Sequence, residues 1–130
     1  MANKYKTKCR FNVESLATKT VPGTDKRELL EDLIFIDTRN TRVIARKGFE
    51  FDGASIPSAL WSIVGHPWDN QYVKAAAIHD KECKVKAAKQ KDVHRRFYEG
   101  LRNQGVGYFK AKTMYWAVIS YNRVRNPGWK

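Results

Sequence analysis

Asp52, His66, His79 and Asp80, side chains able to hold a metal, activate water or carry a proton, fall in "FEFDGASIPSALWSIVGHPWDNQYVKAAAIHDKEC", residues 49–83. An adjacent His and Asp present an imidazole and a carboxylate. Such a pair serves as ligands for a divalent metal, or as a base and the group that orients it. The three alanines of "AAAIHD" let another backbone or a ligand come close. In "FEFDGASIP" a strand end delivers Asp52, and Gly53 permits the backbone angles of a sharp turn. Plainer readings stand beside these. Asp52 can order a turn through backbone bonds while Ser55 and Pro57 start a short helix, and an inward His is commonly a hydrogen-bonded core residue.

His94 is a further candidate ligand, on one condition. No Gly or Pro lies between residues 68 and 99. A single helix there would hold His79 and His94 about 22 Å apart at 1.5 Å per residue. A turn inside "KVKAAKQKD", whose apolar pattern is weak, would let His94 fold back beside His79 and Asp80.

The elements that must position these residues divide into two halves. "KYKTKCRFNVE" approximates alternation, while "LLEDLIFID" and "RVIARKGFEF" are rich in branched and aromatic residues around the turn "DTRNT". Antiparallel strands are expected near 5–13, 29–36 and 42–51, with "TVPGTD" a loop. Beyond Pro57 the period becomes helical. "SALWSIVG" reads as a short helix closed by Gly65, and Asp69 caps a second that aligns Tyr72, Ala75, Ala76, His79 and Cys83. A third gathers Val93, His94, Phe97, Tyr98 and Leu101, and a last, about 109–123, aligns Ala111, Met114, Val118 and Tyr121. The expected fold is α+β, a small antiparallel sheet followed by three to four helices packed as a layer.

The 130 residues suit one domain, and 42% apolar residues argue against disorder. No apolar run approaches the roughly 18 residues of a membrane span, and the start "MANKYKTKCRF" lacks the apolar stretch of a signal peptide. Cys9 and Cys83 are too few for a disulfide framework and suit reduced thiols. With 25 Lys and Arg against 13 Asp and Glu, the net charge of +12 attracts polyanions such as nucleic acid, anionic lipid or phosphate-rich cell-wall polymer. No helix-turn-helix, zinc-finger or RNP-like motif supports a dedicated nucleic-acid reader.

The span 27–121 resembles a phage and prophage family known as domain of unknown function 1353. "LLEDLIFID", "GFEFDGASIPSALW", Gly65 with Pro67, "AAAIHD" and "HRRFYEGL" carry the resemblance. It implies a viral or prophage origin, action in the host cytoplasm or the virion, and no established activity. Two departures occur: members commonly place an aromatic residue shortly after the HD, where this chain has Glu82 and Cys83, and commonly have Asp at the position of His94. The HD on a helix is also similar to those of phospholipase A2 enzymes and HD-type phosphohydrolases. The calcium loop and disulfides of the former are absent here, and the latter complete their sites on an all-helical fold.

The leading expectation is a hydrolase-like domain in which Asp52, His79 and Asp80 are catalytic and His79, Asp80 and His94 surround one divalent metal ion or an activated water. The rival is a non-enzymatic accessory protein, a virion or tail component or an inhibitor of a host factor. It would use the basic surface with Trp61, Trp68 and Trp116 to contact a phage or host protein.

Overall fold

The computed structural model describes residues 3–52, 69 and 71–130, and elements are numbered among these. The order is α1 (Tyr5–Lys8), β1 (Arg10–Phe11), β2 (Thr18–Thr20), β3 (Arg27–Leu29), β4 (Leu33–Ile36), β5 (Arg42–Ala45), β6 (Glu50–Phe51), α2 (Val73–Val85), α3 (Gln90–Asn103) and α4 (Tyr108–Arg125). Two three-stranded antiparallel sheets, β1-β4-β5 and β2-β3-β6, precede the three long helices, so the fold is α+β.

The strands expected over 29–36 and 42–51 are each divided between the sheets, for a reason visible in the register. Leu33 lies opposite Ala45, and Glu28 lies opposite Glu50. The same pairing therefore continues through both sheets, as in one long hairpin bent at a corner. Residues 30–32 and 46–49 form that corner. Asp32 Oδ1 accepts the Lys47 N–H at 2.7 Å, and the Gly48 N–H donates to the Leu29 carbonyl at 2.8 Å. Gly48 sits at φ 92°, where a side chain would be strained. The hairpin tip also follows from sequence: Asn40 takes φ 64° in "DTRNT", a conformation that Asn tolerates.

The strand expected over 5–13 is corrected at its start. Tyr5–Lys8 is a helical turn, and only Arg10–Phe11 pairs with β4. Tyr5 packs edge-to-face on Tyr98 at 5.8 Å, with the Arg102 guanidinium over its ring at 5.4 Å, so contacts with α3 override the local alternation.

The helical half follows the sequence closely. Val85 ends α2, Lys86 adopts a left-handed conformation at φ 54°, and Gln90 opens α3, so the chain doubles back inside "KVKAAKQKD". Asp69 Oδ1 accepts the Gln71 N–H at 2.9 Å and the Asp69 carbonyl accepts from Tyr72 and Val73, starting α2. The alanines of α2 serve a helix crossing: a Cβ on Gly100 would lie 3.1 Å from Ala75 Cβ and 3.2 Å from Phe11. In α4, Ala111, Met114 and Val118 are buried, together with Asn122. The short helix expected over "SALWSIVG" lies outside the described residues, as do His66, Trp61 and Trp68.

Two apolar clusters flank α2. One joins it to the strands through Leu29, Leu33, Phe35, Phe51, Ala77 and Ile78, and the other joins the helices through Tyr72, Ala75, Phe97, Leu101, Met114 and Val118. Burial of this kind contributes about 25 cal/mol per Å² of apolar surface and holds α2 between two layers. No helix among the described residues is long and apolar enough to cross a membrane.

Candidate functional site

Successive residues of α2 point in different directions, about 100° apart. His79 enters the helical core and is fully buried, whereas Asp80 turns toward β6 and is 8% exposed. The two halves of the HD pair thus belong to different surroundings.

His79 is one link of a hydrogen-bonded chain. Its Nε2 lies 2.9 Å from Nδ1 of His94, whose Nε2 lies 3.0 Å from Oε1 of Gln90. The direction of each bond follows from the C-terminal tail. Gln90 Nε2 donates to the Trp129 carbonyl at 2.9 Å, which turns Oε1 toward His94. His94 Nε2 must then carry the proton that it donates to Gln90, leaving Nδ1 to accept from His79 Nε2–H. The Cys83 thiol lies 3.7 Å from both ring nitrogens of His79, of which Nδ1 is the one left to accept. Trp129 closes the end of the chain, donating its indole N–H to the Ala88 carbonyl at 3.1 Å with its ring edge-on to His94 at 5.8 Å.

Burial, with His94 beside it, lowers His79 to about 3, and burial lowers His94 to about 4. Imidazoles held so low are neutral and weakly basic near neutral pH. Burial, then the charges of Asp80 and Glu82, pushes the Cys83 thiol up to about 12, away from a reactive thiolate.

Asp80 is the opposite case. Its Oδ2 is buried without a hydrogen-bond partner, and Lys84 Nζ stands 3.6 Å away, within ion-pairing range but too far for a good hydrogen bond. Lys84 is held in place by the Glu50 carbonyl at 3.1 Å and by the Phe49 ring. Burial raises the Asp80 carboxyl to about 6, with Lys84 opposing and the charge of Asp52 adding to the rise. Asp52, exposed at the end of β6, lines one cleft of about 470 Å³ with Asp80, Lys84, Lys86 and Arg125.

The structure thus brings His79 to His94 and Asp80 to Asp52. The two pairs lie on different sides of α2: the first is closed in the core and the second opens to the cleft. No group of three or more His, Cys, Asp or Glu side chains is placed to hold a metal ion among the described residues. The nitrogens with which His79 and His94 would meet a shared metal are hydrogen-bonded to each other.

A second cluster of charge is assembled mainly by pairings distant in sequence. Arg96 binds Glu82 through Nε at 3.0 Å and Nη2 at 2.6 Å, and reaches Asp37 at 3.4 Å. Arg95 joins Glu99 at 2.6 Å and Asp37 at 3.2 Å, while Glu99 accepts the Thr38 N–H and hydroxyl, both at 2.8 Å. Burial works to raise the Asp37 carboxyl; the Thr41 amide, the Arg95 guanidinium and the Arg39 amide outweigh it, holding Asp37 below the usual carboxylate range. This network ties the β4–β5 turn to α2 and α3. Its members fall in "IFID", "HDKE" and "HRRFYEG", but the pairings with the β4–β5 turn span about 60 residues.

The chain matches the model of a family described as "Protein of unknown function (DUF1353)" over residues 27–118 and belongs to that family. It is 44% identical over 102 residues to an uncharacterized protein, y4jT, of Sinorhizobium fredii, covering 78% of this chain and 29% of that protein. It is 34% identical over 110 residues to a second uncharacterized protein of that organism, y4iH, covering 84% of this chain and 44% of that one. The chain thus spans less than half the length of these curated relatives. No solved structure matches it.

Proposed function

We propose that the chain is a hydrolase-like domain whose reacting groups are the carboxyls of Asp80 and Asp52, serving a phage or prophage in the host cytoplasm or the virion. Supporting this reading above all is Asp80 itself: a buried carboxylate with one oxygen that accepts no hydrogen bond, raised to about 6, opening to a cleft that a second carboxylate shares. A carboxyl that ionises near neutrality can give or take a proton at working pH, which general acid–base catalysis requires. Lys84, Lys86 and Arg125 give the same cleft a cationic wall, which suits a phosphoester or an anionic cell-wall polymer better than a neutral ester. His79 and His94 act here as positioning residues that fix α2 against α3, and no metal is routed through them.

The test is turnover of a cell-wall suspension, an aryl phosphodiester and an aryl ester. Asp80→Asn and Asp52→Asn should each reduce the rate by about 100-fold or more with the circular dichroism spectrum unchanged. His79→Asn should retain activity in proportion to the folded protein. Wild-type protein inactive on all three, or an Asp80→Asn variant at full rate, overturns the proposal.

One observation favours the accessory-protein reading. Asp37, Glu82, Arg96 and Glu99 lie in the family-matched span and are consumed by a folding network, so charged residues there need no catalytic explanation. That reading gains if all three substrates are left untouched.

A further inference from the structure

Among the described residues, strand β5 is an edge. In the sheet order β1-β4-β5 only β4 pairs with it among the described residues. Two neighbouring bonds fix which of its amides face outward. At the hairpin end, the Asp37 N–H donates to the Thr41 carbonyl, and on the far side of β4 the Asn12 N–H donates to the Ile34 carbonyl. Hydrogen-bonded and non-bonded pairs alternate along an antiparallel ladder, so Phe35 bonds Val43 and Leu33 bonds Ala45. The N–H and C=O groups of Arg42 and Ile44 therefore point away from the sheet, a donor–acceptor row with no strand to receive it among the described residues.

Beside this edge runs a groove of about 510 Å³ between β5 and the C-terminal end of α2. Val43, Ile44, Val85 and Ala88 supply apolar lining, and Val85 is 56% exposed. Arg42, Arg46 and Lys81 bring positive charge to it. Arg46 leans on Asp32 at 3.5 Å, while Arg42 and Lys81 have no ion-pair partner among the described residues.

We infer that this groove binds an extended acidic peptide segment of a partner protein, added as a strand beside β5. Main-chain bonds to Arg42 and Ile44 set the register. Apolar side chains of the peptide fill the groove on the face toward α2, where Lys81 stands at the rim, and its carboxylates, on the opposite face, meet Arg42. Strand addition uses both the amide row and the groove, and the unpaired cations select the sign of the partner. The site is separate from the Asp52–Asp80 cleft and stands whether or not that cleft is catalytic.

The probe is a synthetic peptide of about ten residues alternating Glu with Val, compared with its Lys–Val counterpart, by fluorescence anisotropy and amide NMR. The Glu peptide should bind at least about tenfold tighter, slow the hydrogen exchange of the Arg42 and Ile44 amides, and weaken as salt rises. Ile44→Pro removes an outward donor without touching the β4 ladder, which edge strands tolerate, and should lose binding about tenfold with the β4 and α2 resonances unmoved. Should that variant unfold, Arg42→Glu, at an exposed position, serves instead: it should weaken the Glu peptide and favour the Lys peptide. Equal affinity for the two peptides, shifts mapping away from β5, or protection of these amides by self-association alone would each overturn the inference.

Discussion

Helix α2 carries two acidic residues two positions apart, Asp80 and Glu82, and the structure treats them oppositely. Glu82 is 6% exposed and bound on both oxygens by Arg96, which continues to Asp37. Asp80 is as deeply buried, yet one oxygen lacks a hydrogen bond, its lysine stands off at 3.6 Å and the nearby Asp52 repels it. Burial alone therefore does not distinguish these two carboxylates; the completeness of partnering does. A paired charge holds elements together, whereas an under-partnered one beside a cleft costs stability and retains the ability to exchange a proton.

The largest effect should come from breaking the complete side. Arg96→Ala strands Glu82 in the core and should destabilise by about 3–5 kcal/mol in urea unfolding. Replacing the pair together, Arg96→Met with Glu82→Leu, should cost far less. A loss below about 1 kcal/mol for Arg96→Ala would make this side no more structural than the other.

Acid should come next. His79 and His94 titrate at about 3 and about 4 when folded against 6.5 otherwise, so the unfolded chain binds their protons first and stability falls as pH drops below 6.5. Asp80 works the other way between 6 and 3.8, because the folded chain keeps its proton longer. Two protons oppose one, and between pH 6 and 4 the net loss should be about 1.4 kcal/mol per pH unit. Stability that is flat or rising toward pH 4 would contradict the buried histidine pair.

Asp80→Asn removes the ionisation cost and should raise stability at pH 7.5 by up to about 3 kcal/mol, with Glu82→Gln lowering it. Opposite signs at these two positions sharpen the contrast, and equal signs break it. The smallest change belongs to Trp129→Phe. It deletes the indole bond to Ala88 and should cost about 1 kcal/mol, while the His94 ring resonances shift as the tail loosens its hold on Gln90.

Much of the fold is legible in the amino-acid sequence. The period of α2, α3 and α4, the turn within "KVKAAKQKD" and the meeting of His79 with His94 follow from helical spacing and one weak apolar stretch. The hairpin over "IFIDTRNTRVIA" also follows, from branched residues flanking turn formers. What spacing could not reveal was long-range. The corner that splits the hairpin into two sheets depends on Asp32 reaching Lys47, and Tyr5 is drawn into a helical turn against α3. The environments of His79 and Asp80 were equally hidden. Adjacent in sequence, they are separated by the helix rotation and by partners as distant as Trp129. Gln90 and Trp129 carry no motif; a polar residue four positions before His94 on one helix face was the only local hint.

The most direct measurement of the contrast is the carbon-13 carboxyl NMR titration of Asp80 in the intact chain, with and without Asp52→Asn. A midpoint near 6 that falls when Asp52 loses its charge is the expected result. A midpoint at or below the ordinary 3.8, or one indifferent to Asp52, would show that Asp80 is as well partnered as Glu82 and would contradict the role proposed for it as a reacting group of the cleft.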